Sequence, residues 1–449
     1  MGSLMITLGH NSSALFYRNG IRPVGFEQER FDKVKSSSAF PKDAILEIMK
    51  HEDITGSKLY ISHWFDHYDP EQFPTKYYDH KFMDGLISTY KLDIQLLTPD
   101  FTHHDAHMYS SMAFAGRFVN ETTHYIVADG FGNNQEVLSI YVQSPGGDEP
   151  ELMHRVYGYI NSIGLLYQFA TEFCSMKPNQ DEWKFLGYEV NDAISDKEKA
   201  ILFDMAAIAS SSYMEVGFMF NTDARASVDT IINFDELNAA KESIFGILEG
   251  VLSKINLDNR DGSYELKKRV VVGYFIQAFV ESVFSRIIDK FEIKNVRLSG
   301  GCFYNVKLNN HIMNKIDGNI SIIPVAGDQG AAIGMHYKQS TEFEFYDMCW
   351  GRRQIDVQIG QDNLHVCYTF EDYVDTVVKL IKEDMIVNTF NGDMEFGPRA
   401  LCNTTTLAKP TTKNLKYINE INGRNTVMPM APVMLDRNAN AFFSSLDSV

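Results

Sequence analysis

Three histidines stand within five residues in the segment His103-His104-Asp105-Ala106-His107. Residues four apart lie on the same side of a helix, so His103 and His107 could present two imidazole nitrogens to one metal ion. The alternative is a solvated cluster of histidines on the protein surface. The spacing therefore indicates either a metal site built on a helix or an exposed polar patch.

Two aspartates stand where they could complete such a metal site. Asp129 ends the apolar run HYIVAD, and Asp328 follows the apolar run ISIIPVAG. Acidic residues at the ends of buried strands are common ligand-binding positions in α/β folds, although each aspartate could instead cap a turn. Two histidines and two aspartates would form a mixed nitrogen and oxygen site, which suits Fe(II), Mn(II) or Zn(II) better than a thiolate-preferring ion.

A glycine pair and a lone histidine mark further candidate positions. Gly300 and Gly301 follow an apolar strand, and backbone N–H groups there could approach an anionic or nucleotide ligand closely. A tight turn is the alternative, because paired glycines are common in turns. The segment matches neither a P-loop nor a dinucleotide-binding fingerprint, which argues against those two kinds of site. His10 lies just past the first strand, in a polar turn, which is compatible with a general base.

The later segment GDMEFGPRAL holds Glu395 and Arg399. An arginine after Gly-Pro suits anion binding, because its guanidinium can donate two parallel hydrogen bonds to a phosphate. A structural ion pair between the two residues is the alternative.

The elements that must position these residues are strands, hairpins and helices. Asn19-Gly20 predicts a hairpin between two extended runs, and a Gly- and Asn-rich turn separates HYIVAD from EVLSIYVQS. Apolar spacing from Ile163 to Phe173 indicates a helix, and the stretch 264–290 is a long helical candidate. This mixture indicates an α/β fold class. The pattern loosens over 342–360, so we expect two domains, 1–345 and 355–449.

Composition limits the classes of function. The chain has 449 residues and a formal net charge of −18, which disfavours non-specific nucleic-acid binding. Five scattered cysteines without a C-x-x-C pair favour a reducing cytoplasm over a disulfide framework. The sequence shows no secretory signal and no run of about eighteen apolar residues, so we expect no membrane span.

Taken in order, these motifs resemble those of the NodU/CmcH-type O-carbamoyltransferases. The resemblance runs along nearly the whole chain, and MEFGPRAL matches eight consecutive residues of the family signature. The other similar segments are HNSSA, FEQERFDKVKSSSAFP, HHDAH, VADGFG, NSIGLLYQFATEFC, DEWKFLGY, LSGGCFYNVKLNNHI and PVAGDQGAAIG.

The resemblance implies a fold and a reaction. An amino-terminal domain with the actin-like ATPase (ASKHA) superfold would precede a smaller α/β domain that is similar to threonylcarbamoyl-adenylate synthases. The carbamoyl group would pass from carbamoyl phosphate, through a carbamoyl adenylate made with ATP and Mg, to a hydroxyl of a small molecule. That acceptor would be a sugar, a nucleoside or a natural product.

The resemblance also assigns roles to individual residues. His103, His107, Asp129 and Asp328 would hold a divalent metal, with Fe(II) in first place and Mn or Zn as alternatives. His10 would act near the acceptor hydroxyl. The adenylate side would be lined by Gly130, Gly300, Gly301 and Asn305. Glu395 and Arg399 would belong to the site that makes the adenylate.

Two segments depart from the family pattern. The family continues its signature as Gly-Asn-Arg-Ser, whereas this chain has Cys402-Asn403-Thr404-Thr405, and a second arginine is missing within 424–432. With the end at Val449, these departures predict a truncated activating domain. The protein partner would then be a second copy or a separately encoded remainder of that domain.

Two other classes of function remain open at this point. One is a kinase or ATPase of the same superfold, which would not need a metal bound by imidazoles. The other is a catalytically silent nucleotide-binding scaffold. The joint presence of His10, the two histidines of the metal motif and both aspartates disfavours such a scaffold.

Overall fold

The computed structural model describes residues 2–62, 75–98, 100–117, 119–188, 193–217, 232–255, 257, 263–343, 347–352, 365–422 and 430–439. The chain divides into two compact units. Unit 1 consists of Met1–Pro23 and Glu27–Phe345, and unit 2 consists of Val24–Phe26 and Tyr346–Val449. The division after Phe345 falls within the stretch where the sequence pattern loosens.

Residues of unit 1 form almost all of two five-stranded sheets. The strands of the first are β1 (Ser3–Thr7), β2 (Ser13–Arg18), β3 (Ile21–Glu27), β4 (Lys58–Ser62) and β5 (Asp93–Ile94). Their order is β3-β2-β1-β4-β5, with β1 antiparallel to β2 and parallel to β4. The expected hairpin turn at Asn19-Gly20 joins β2 to β3, and Gly20 has the positive φ, 75°, that such a turn favours.

The second sheet repeats the order of the first. Its strands are β6 (Thr123–Ala128), β7 (Glu136–Gln143), β8 (Glu151–Tyr157), β9 (Asn295–Ser299) and β10 (Ile320–Ile322). The order is β10-β9-β6-β7-β8, with β6 antiparallel to β7 and parallel to β9. In both sheets the first strand is central, with two following strands on one side and two later parallel strands on the other. This duplication confirms the expected α/β class and actin-like superfold.

Helices connect and cover the strands of unit 1. They are α1 (Glu29–Asp32), α2 (Lys42–His51), α3 (His80–Tyr90), α4 (His103–Ala115), α5 (Ile163–Phe173), α6 (Phe185–Tyr188), α7 (Asp196–Gly217), α8 (Phe234–Ile255), α9 (Tyr264–Lys290), α10 (Val306–Lys315) and α11 (Ala331–Ser340). The two helices expected from the sequence, α5 and α9, are confirmed. Residues 42–94, which precede the histidine motif, contain α2, β4, α3 and β5.

The core of the second sheet is built on α9. Phe284 and Ile287 of this helix are fully buried and share one apolar cluster with Ile126 of β6 and Leu298 of β9. By length and composition α9 could cross a membrane, but 67% of its most apolar window is buried inside the protein. Core packing therefore accounts for its apolar residues.

Unit 2 is smaller and also mixes helices with strands. Its elements are β11 (Val387–Phe390), β12 (Thr404–Leu407), α12 (Phe370–Lys382), α13 (Thr412–Ile421) and α14 (Asp436–Ala439), and the two strands pair in an antiparallel ladder. Trp350 is fully buried and stacks on Phe396, with ring centroids 4.9 Å apart. Phe396 belongs to the segment MEFGPRAL, so this stacking packs the start of that segment against the buried Trp350.

Candidate functional site

The amino end of α4 carries the two spaced histidines. The Thr102 hydroxyl accepts a hydrogen bond from the backbone N of Asp105, whose carboxylate accepts one from the backbone N of Thr102. This reciprocal capping begins the helix at His103 and puts His103 and His107 on one face. Their Nε2 atoms are 3.1 Å apart. All three histidines of the motif are at most 2% exposed, so the alternative of a solvated patch is wrong.

Asp129 follows β6 directly, and glycine backbone orients its carboxylate. Its Oδ1 accepts hydrogen bonds from the backbone N of Gly130, at 2.8 Å, and of Gly301, at 3.3 Å. Its Oδ2 lies 3.4 Å from His103 Nε2 and 3.2 Å from His107 Nε2. One oxygen therefore fixes the side chain, and the other is directed at the two imidazoles.

Asp328 opens the short 3-10 helix Asp328–Gly330 that leads into α11. Its Oδ1 lies 3.4 Å from His103 Nε2 and 3.6 Å from His107 Nε2. One ligand atom from each of His103, His107, Asp129 and Asp328 lies within 4.8 Å of the other three. The fold thus brings the four predicted ligands into one cluster, which we call the four-ligand cluster.

The geometry of the four-ligand cluster fits a divalent metal ion. Metal–ligand distances of about 2.0–2.2 Å imply that neighbouring donor atoms are about 3–3.5 Å apart. The separations between the two Nε2 atoms, and from them to the aspartate oxygens, run from 3.1 to 3.6 Å. Two adjacent carboxylates whose side chains are only 16% and 12% exposed also need a cation or protonated partners to balance them. The cluster is therefore a possible metal site by both geometry and charge.

The groups of the cluster shift each other's pKa. Burial lowers the pKa of His103, but hydrogen bonds and charges from Asp129 and Asp328 outweigh it and raise that pKa to about 10. The pKa of His107 is also raised, against the effect of burial, by the same aspartates. Burial raises the pKa of Asp129, but the two imidazoles hold it well below its ordinary value. Without a metal, protons on the imidazoles balance the carboxylates.

Gly300 and Gly301 lie against the strand that leads to Asp129. Gly300 has a φ of 98°, and a Cβ there would stand 2.2 Å from the carbonyl oxygen of Ala128. A Cβ on Gly301 would stand 3.0 Å from Asp129 Oδ1, whereas Gly130 has open space at the corresponding position. Close approach to the β6 backbone is by itself a physical reason for glycine at 300, and the nearby Asp129 carboxylate leaves little room for a side chain at 301.

Asn305 makes its side-chain hydrogen bonds inside the protein. Its Oδ1 accepts from the backbone N of Leu308 at 3.0 Å and so caps α10. Its Nδ2 donates to Gln277 Oε1 at 2.8 Å and to the Tyr167 hydroxyl at 3.1 Å. The residue therefore fixes the helix that follows the glycine pair.

His10 is exposed in the turn after β1. Its Nδ1 accepts a hydrogen bond from Asn11 Nδ2 at 3.0 Å, and the neighbouring Ser12 hydroxyl donates to the carbonyl oxygen of Ala39 at 2.6 Å. Among the contacts of the described residues, none joins His10 to the four-ligand cluster. The ring is accessible to a small molecule, and its turn is held by the segment after β3.

Glu395 holds the loop that follows it in unit 2. Its Oε1 accepts from the backbone N of Leu401 at 2.8 Å and of Asn403 at 2.9 Å, and the Thr404 hydroxyl donates to its Oε2. Burial raises the pKa of Glu395, but these hydrogen bonds outweigh burial and lower it. Arg399 lies exposed in the same loop. Glu395 therefore has a structural role that its motif alone does not reveal.

The structure describes one of the two segments that depart from the family pattern, residues 402–405. Cys402, where the family has glycine, adopts a φ of 72°, in the left-handed region that glycine enters most easily. The departure within 424–432 lies largely outside the described residues, which resume at 430.

The structure also identifies residues that the motifs do not. Asn133 Oδ1 accepts from the backbone N of His103 at 2.6 Å, and Glu136 Oε1 accepts from the backbone N of His104 at 3.0 Å. Arg155 reaches the same region from β8. A single charged residue at the start of a strand that carries no other charge, as Glu136 is in EVLSIYVQ, is the sequence signal that could have indicated this role.

Comparison with protein-family models gives two matches. The carbamoyltransferase N-terminus matches residues 71–336, which is more than half of the chain, and the carbamoyltransferase C-terminus matches residues 378–448. The first match contains the whole four-ligand cluster, and the second contains Glu395 and Arg399.

Individual relatives and solved structures are more distant. An uncharacterized protein of Methanocaldococcus jannaschii is 25% identical over 450 residues, covering 95% of this chain and 77% of that protein. The nodulation protein NolNO of Sinorhizobium fredii is 23% identical over 484 residues, covering 98% of this chain and 65% of NolNO. The activator of the 2-hydroxyisocaproyl-CoA dehydratase from Clostridium difficile, with bound ADPNP, is similar with a TM-score of 0.38 and 11% identity, covering 77% of this chain and 100% of that one. T. kodakarensis HypF is similar with a TM-score of 0.37 and 13% identity, over 75% of this chain and 47% of that one.

The two family-model matches, together with the ordered motifs, show that the chain belongs to the NodU/CmcH-type carbamoyltransferase family.

Proposed function

We propose that this chain is an O-carbamoyltransferase that depends on ATP and a divalent metal. It would take carbamoyl phosphate as donor and convert it with ATP and Mg to carbamoyl adenylate, consuming one water and releasing phosphate and pyrophosphate. It would then transfer the carbamoyl group to a hydroxyl of a small molecule, with AMP as the leaving group. The observation that carries the proposal is the four-ligand cluster within the matched amino-terminal segment of a carbamoyltransferase. A silent scaffold has no need for two buried imidazoles that face two largely enclosed carboxylates.

The four-ligand cluster would hold the metal, with Fe(II) in first place and Mn(II) or Zn(II) as alternatives. An ion bound there would act as a Lewis acid on the phosphate and carbonyl oxygens of the donor. The chain itself contributes the fixed donor atoms. Asp129 keeps Oδ2 directed at the imidazoles because Oδ1 is held by two backbone N–H groups.

The glycines beside the cluster would contribute space for the adenylate more than hydrogen bonds to it. The backbone N–H groups of Gly130 and Gly301 already donate to Asp129. Gly130 faces open space, so a ligand could pass close to the backbone there. Gly300 and Asn305 would keep the neighbouring loop in the shape that leaves this space open.

His10 would accept the proton of the attacking hydroxyl. A neutral imidazole can act as general base in this way, and the exposure of His10 lets an acceptor approach it. Carbamoyl adenylate hydrolyses readily, so transfer requires that water be kept from it until the acceptor is in place.

Glu395 and Arg399 would serve donor activation. Glu395 organises the loop 395–404, and the exposed Arg399 would meet the negative charges of carbamoyl phosphate or ATP. Thr404 stands where the family has arginine, and its hydroxyl donates to Glu395. We therefore expect slower activation than transfer. The proposed setting is the cytoplasm, in keeping with five free cysteines, and the proposed protein partner is a second copy of this chain.

The test is a screen of hydroxylated small molecules with two donor arms. One arm supplies carbamoyl phosphate, ATP and Mg, and the other supplies carbamoyl adenylate; each is read by mass spectrometry as the gain of one carbamoyl group. The His103→Ala/His107→Ala variant is the control. Carbamoylation by the wild type and not by the control supports the proposal. ATP turnover that does not depend on carbamoyl phosphate, with no acceptor modified in either arm, would favour a kinase or ATPase instead.

A further inference from the structure

A buried polar network lies between the amino end of α4 and the second sheet, and the proposed chemistry does not use it. Its members, which we call the α4 network, are His104, Asp105, Glu136, Ser139, Tyr141 and Arg155. We infer that Glu136 is a positioning residue for the metal centre. With the rest of the α4 network, it fixes the rotation of α4 about its axis and its position along that axis, and α4 carries His103 and His107. This inference rests on the metal site of the proposed function.

The backbone of the first turn of α4 shows the first part of the argument. The opening N–H groups of a helix have no partner within the helix and take acceptors from elsewhere. Here the backbone N of His103 donates to Asn133 Oδ1 at 2.6 Å, and the backbone N of His104 donates to Glu136 Oε1 at 3.0 Å. Both acceptors come from the segment just beyond the Asp129 turn. The start of the helix is therefore tied to the strand pair that carries one of its fellow ligands.

Arg155 ties Glu136 to the side chains of the helix. Its Nε lies 3.2 Å from Glu136 Oε2 and donates to the Ser139 hydroxyl at 3.1 Å. Its Nη2 donates to Asp105 Oδ1 at 3.1 Å and to the Tyr141 hydroxyl at 2.9 Å. One guanidinium thereby joins two carboxylates and two hydroxyls from β7 and α4. Buried ions keep this arrangement because the loss of one partner leaves the other unbalanced.

The third histidine of the motif provides a side-chain constraint. His104 is fully buried, and its Nδ1 lies 2.8 Å from the Ser139 hydroxyl. Adjacent residues of a helix keep a fixed angle about its axis. A rotation of α4 that moved His104 away from Ser139 would therefore also move the imidazole of His103.

The ligand imidazoles themselves make this external support necessary. Metal-binding histidines usually donate their second ring nitrogen to a carboxylate or carbonyl, which fixes the ring. Within the described residues, Nδ1 of His103 and Nδ1 of His107 have no hydrogen-bond partner. Without that second hydrogen bond, the placement of both rings depends more strongly on the position of α4, and metal sites tolerate only about 0.5 Å of displacement.

The experiment compares three variants of the full chain. Glu136→Gln keeps the acceptor for the backbone N of His104 but removes the charge that faces Arg155, and Ser139→Ala removes the partner of the His104 ring. Glu47→Gln is the matched control, because Glu47 is a buried glutamate of α2 that pairs with Lys50 at 2.6 Å. Metal dissociation constants are measured for Co(II) by competition with a chromophoric chelator, together with the absorption spectrum of the bound Co(II).

We expect Glu136→Gln to bind Co(II) about 10–100-fold more weakly than the wild type, as is usual when residues that support a ligand are changed. Ser139→Ala should also bind Co(II) more weakly than the wild type, but by a smaller factor. The absorption spectrum of bound Co(II) should change in both variants. Glu47→Gln should match the wild type in affinity and spectrum. Thermal unfolding of the metal-free proteins shows that each variant is folded. If Glu136→Gln does not fold, the Co(II) affinity and spectrum of Ser139→Ala decide whether the α4 network positions the metal centre.

A further arm, His103→Ala/His107→Ala, separates two kinds of failure. Unchanged Co(II) affinity in that variant would show that the four-ligand cluster is not the metal site, and the proposed function would lose its basis. Loss of Co(II) there, with wild-type affinity and spectrum in both Glu136→Gln and Ser139→Ala, would overturn the positioning role alone.

Discussion

Gly334 of α11 lies directly against the carbonyl oxygen of Ala106 in α4. A Cβ on Gly334 would stand 1.8 Å from that oxygen, so the two helix backbones approach as closely as only glycine allows. α4 carries both histidines of the four-ligand cluster, and α11 follows immediately after the turn of Asp328. This crossing therefore sets the distance between the imidazoles and one of the two carboxylates.

Gly334→Ala should destabilise the protein, although a Gly→Ala change inside a helix normally stabilises it by about 0.5–1 kcal/mol. The added methyl group overlaps the Ala106 carbonyl, and overpacking of this kind costs about 1–3 kcal/mol. Metal affinity should fall as well, because α4 must shift. The free energy of unfolding is measured by denaturant titration. Gly246→Ala in α8 is the control, since a Cβ there has no neighbour within 4 Å. Equal stability of the two variants would show that α4 and α11 leave room for a methyl group at Gly334.

Tyr304→Phe should weaken the turn that holds Asp328. The Tyr304 hydroxyl accepts hydrogen bonds from the backbone N of Gly327 at 3.1 Å and from Gln329 Nε2 at 2.9 Å, one on each side of Asp328. Loss of two hydrogen bonds should lower the free energy of unfolding by about 1–3 kcal/mol and also weaken metal binding. Tyr213→Phe removes a hydroxyl that donates to the carbonyl of Asn161, away from this turn, and should lower stability alone. If Tyr304→Phe left metal affinity unchanged, Tyr304 would not be needed to hold Asp328 in place.

The stability of the metal-free protein should fall as the pH rises. The pKa of His103 in the folded state is about 10, above its ordinary value of 6.5. Its stabilising contribution is therefore complete below about pH 6.5 and is lost as the pH rises towards 10. The pKa of Asp129 is lowered, so its contribution is present above its ordinary value of 3.8 and is lost on acidification below that value. Denaturant titrations between about pH 6 and pH 10 should show the loss for the wild type and a flatter dependence for His103→Asn. A wild-type slope retained in that variant would mean that another group is responsible.

Cys402→Gly should stabilise unit 2. The left-handed conformation costs an L-residue about 1–2 kcal/mol, which glycine avoids, while the freedom of glycine in the unfolded chain offsets about 0.5–1 kcal/mol of the gain. We expect a net increase of up to about 1 kcal/mol in the free energy of unfolding. Cys402→Ala is the control, because it retains a Cβ at a φ of 72°. Equal effects of the two substitutions would show that the thiol, and not the backbone, sets the stability of the loop.

The sequence by itself determined the local elements and the family. The four-residue spacing of His103 and His107, the Asn19-Gly20 turn and the apolar period of α5 all depend on neighbours within one element, and the structure confirms each. Ordered motifs also indicated the actin-like fold and the carbamoyltransferase family before any distance was known. These features are readable because a helix or a hairpin imposes its period on nearby residues.

Only the tertiary structure decided which distant residues meet. Asp129 and Asp328 converge on α4 because β6 pairs with β9 and because Gly334 lets α11 approach Ala106. Sequence periodicity reports which side of an element is apolar and carries no measure of the distance between elements. The α4 network was hidden for the same reason: no neighbour in the sequence reveals a partner for Glu136 or Arg155, and only strand order and close packing place their charges beside the first turn of α4.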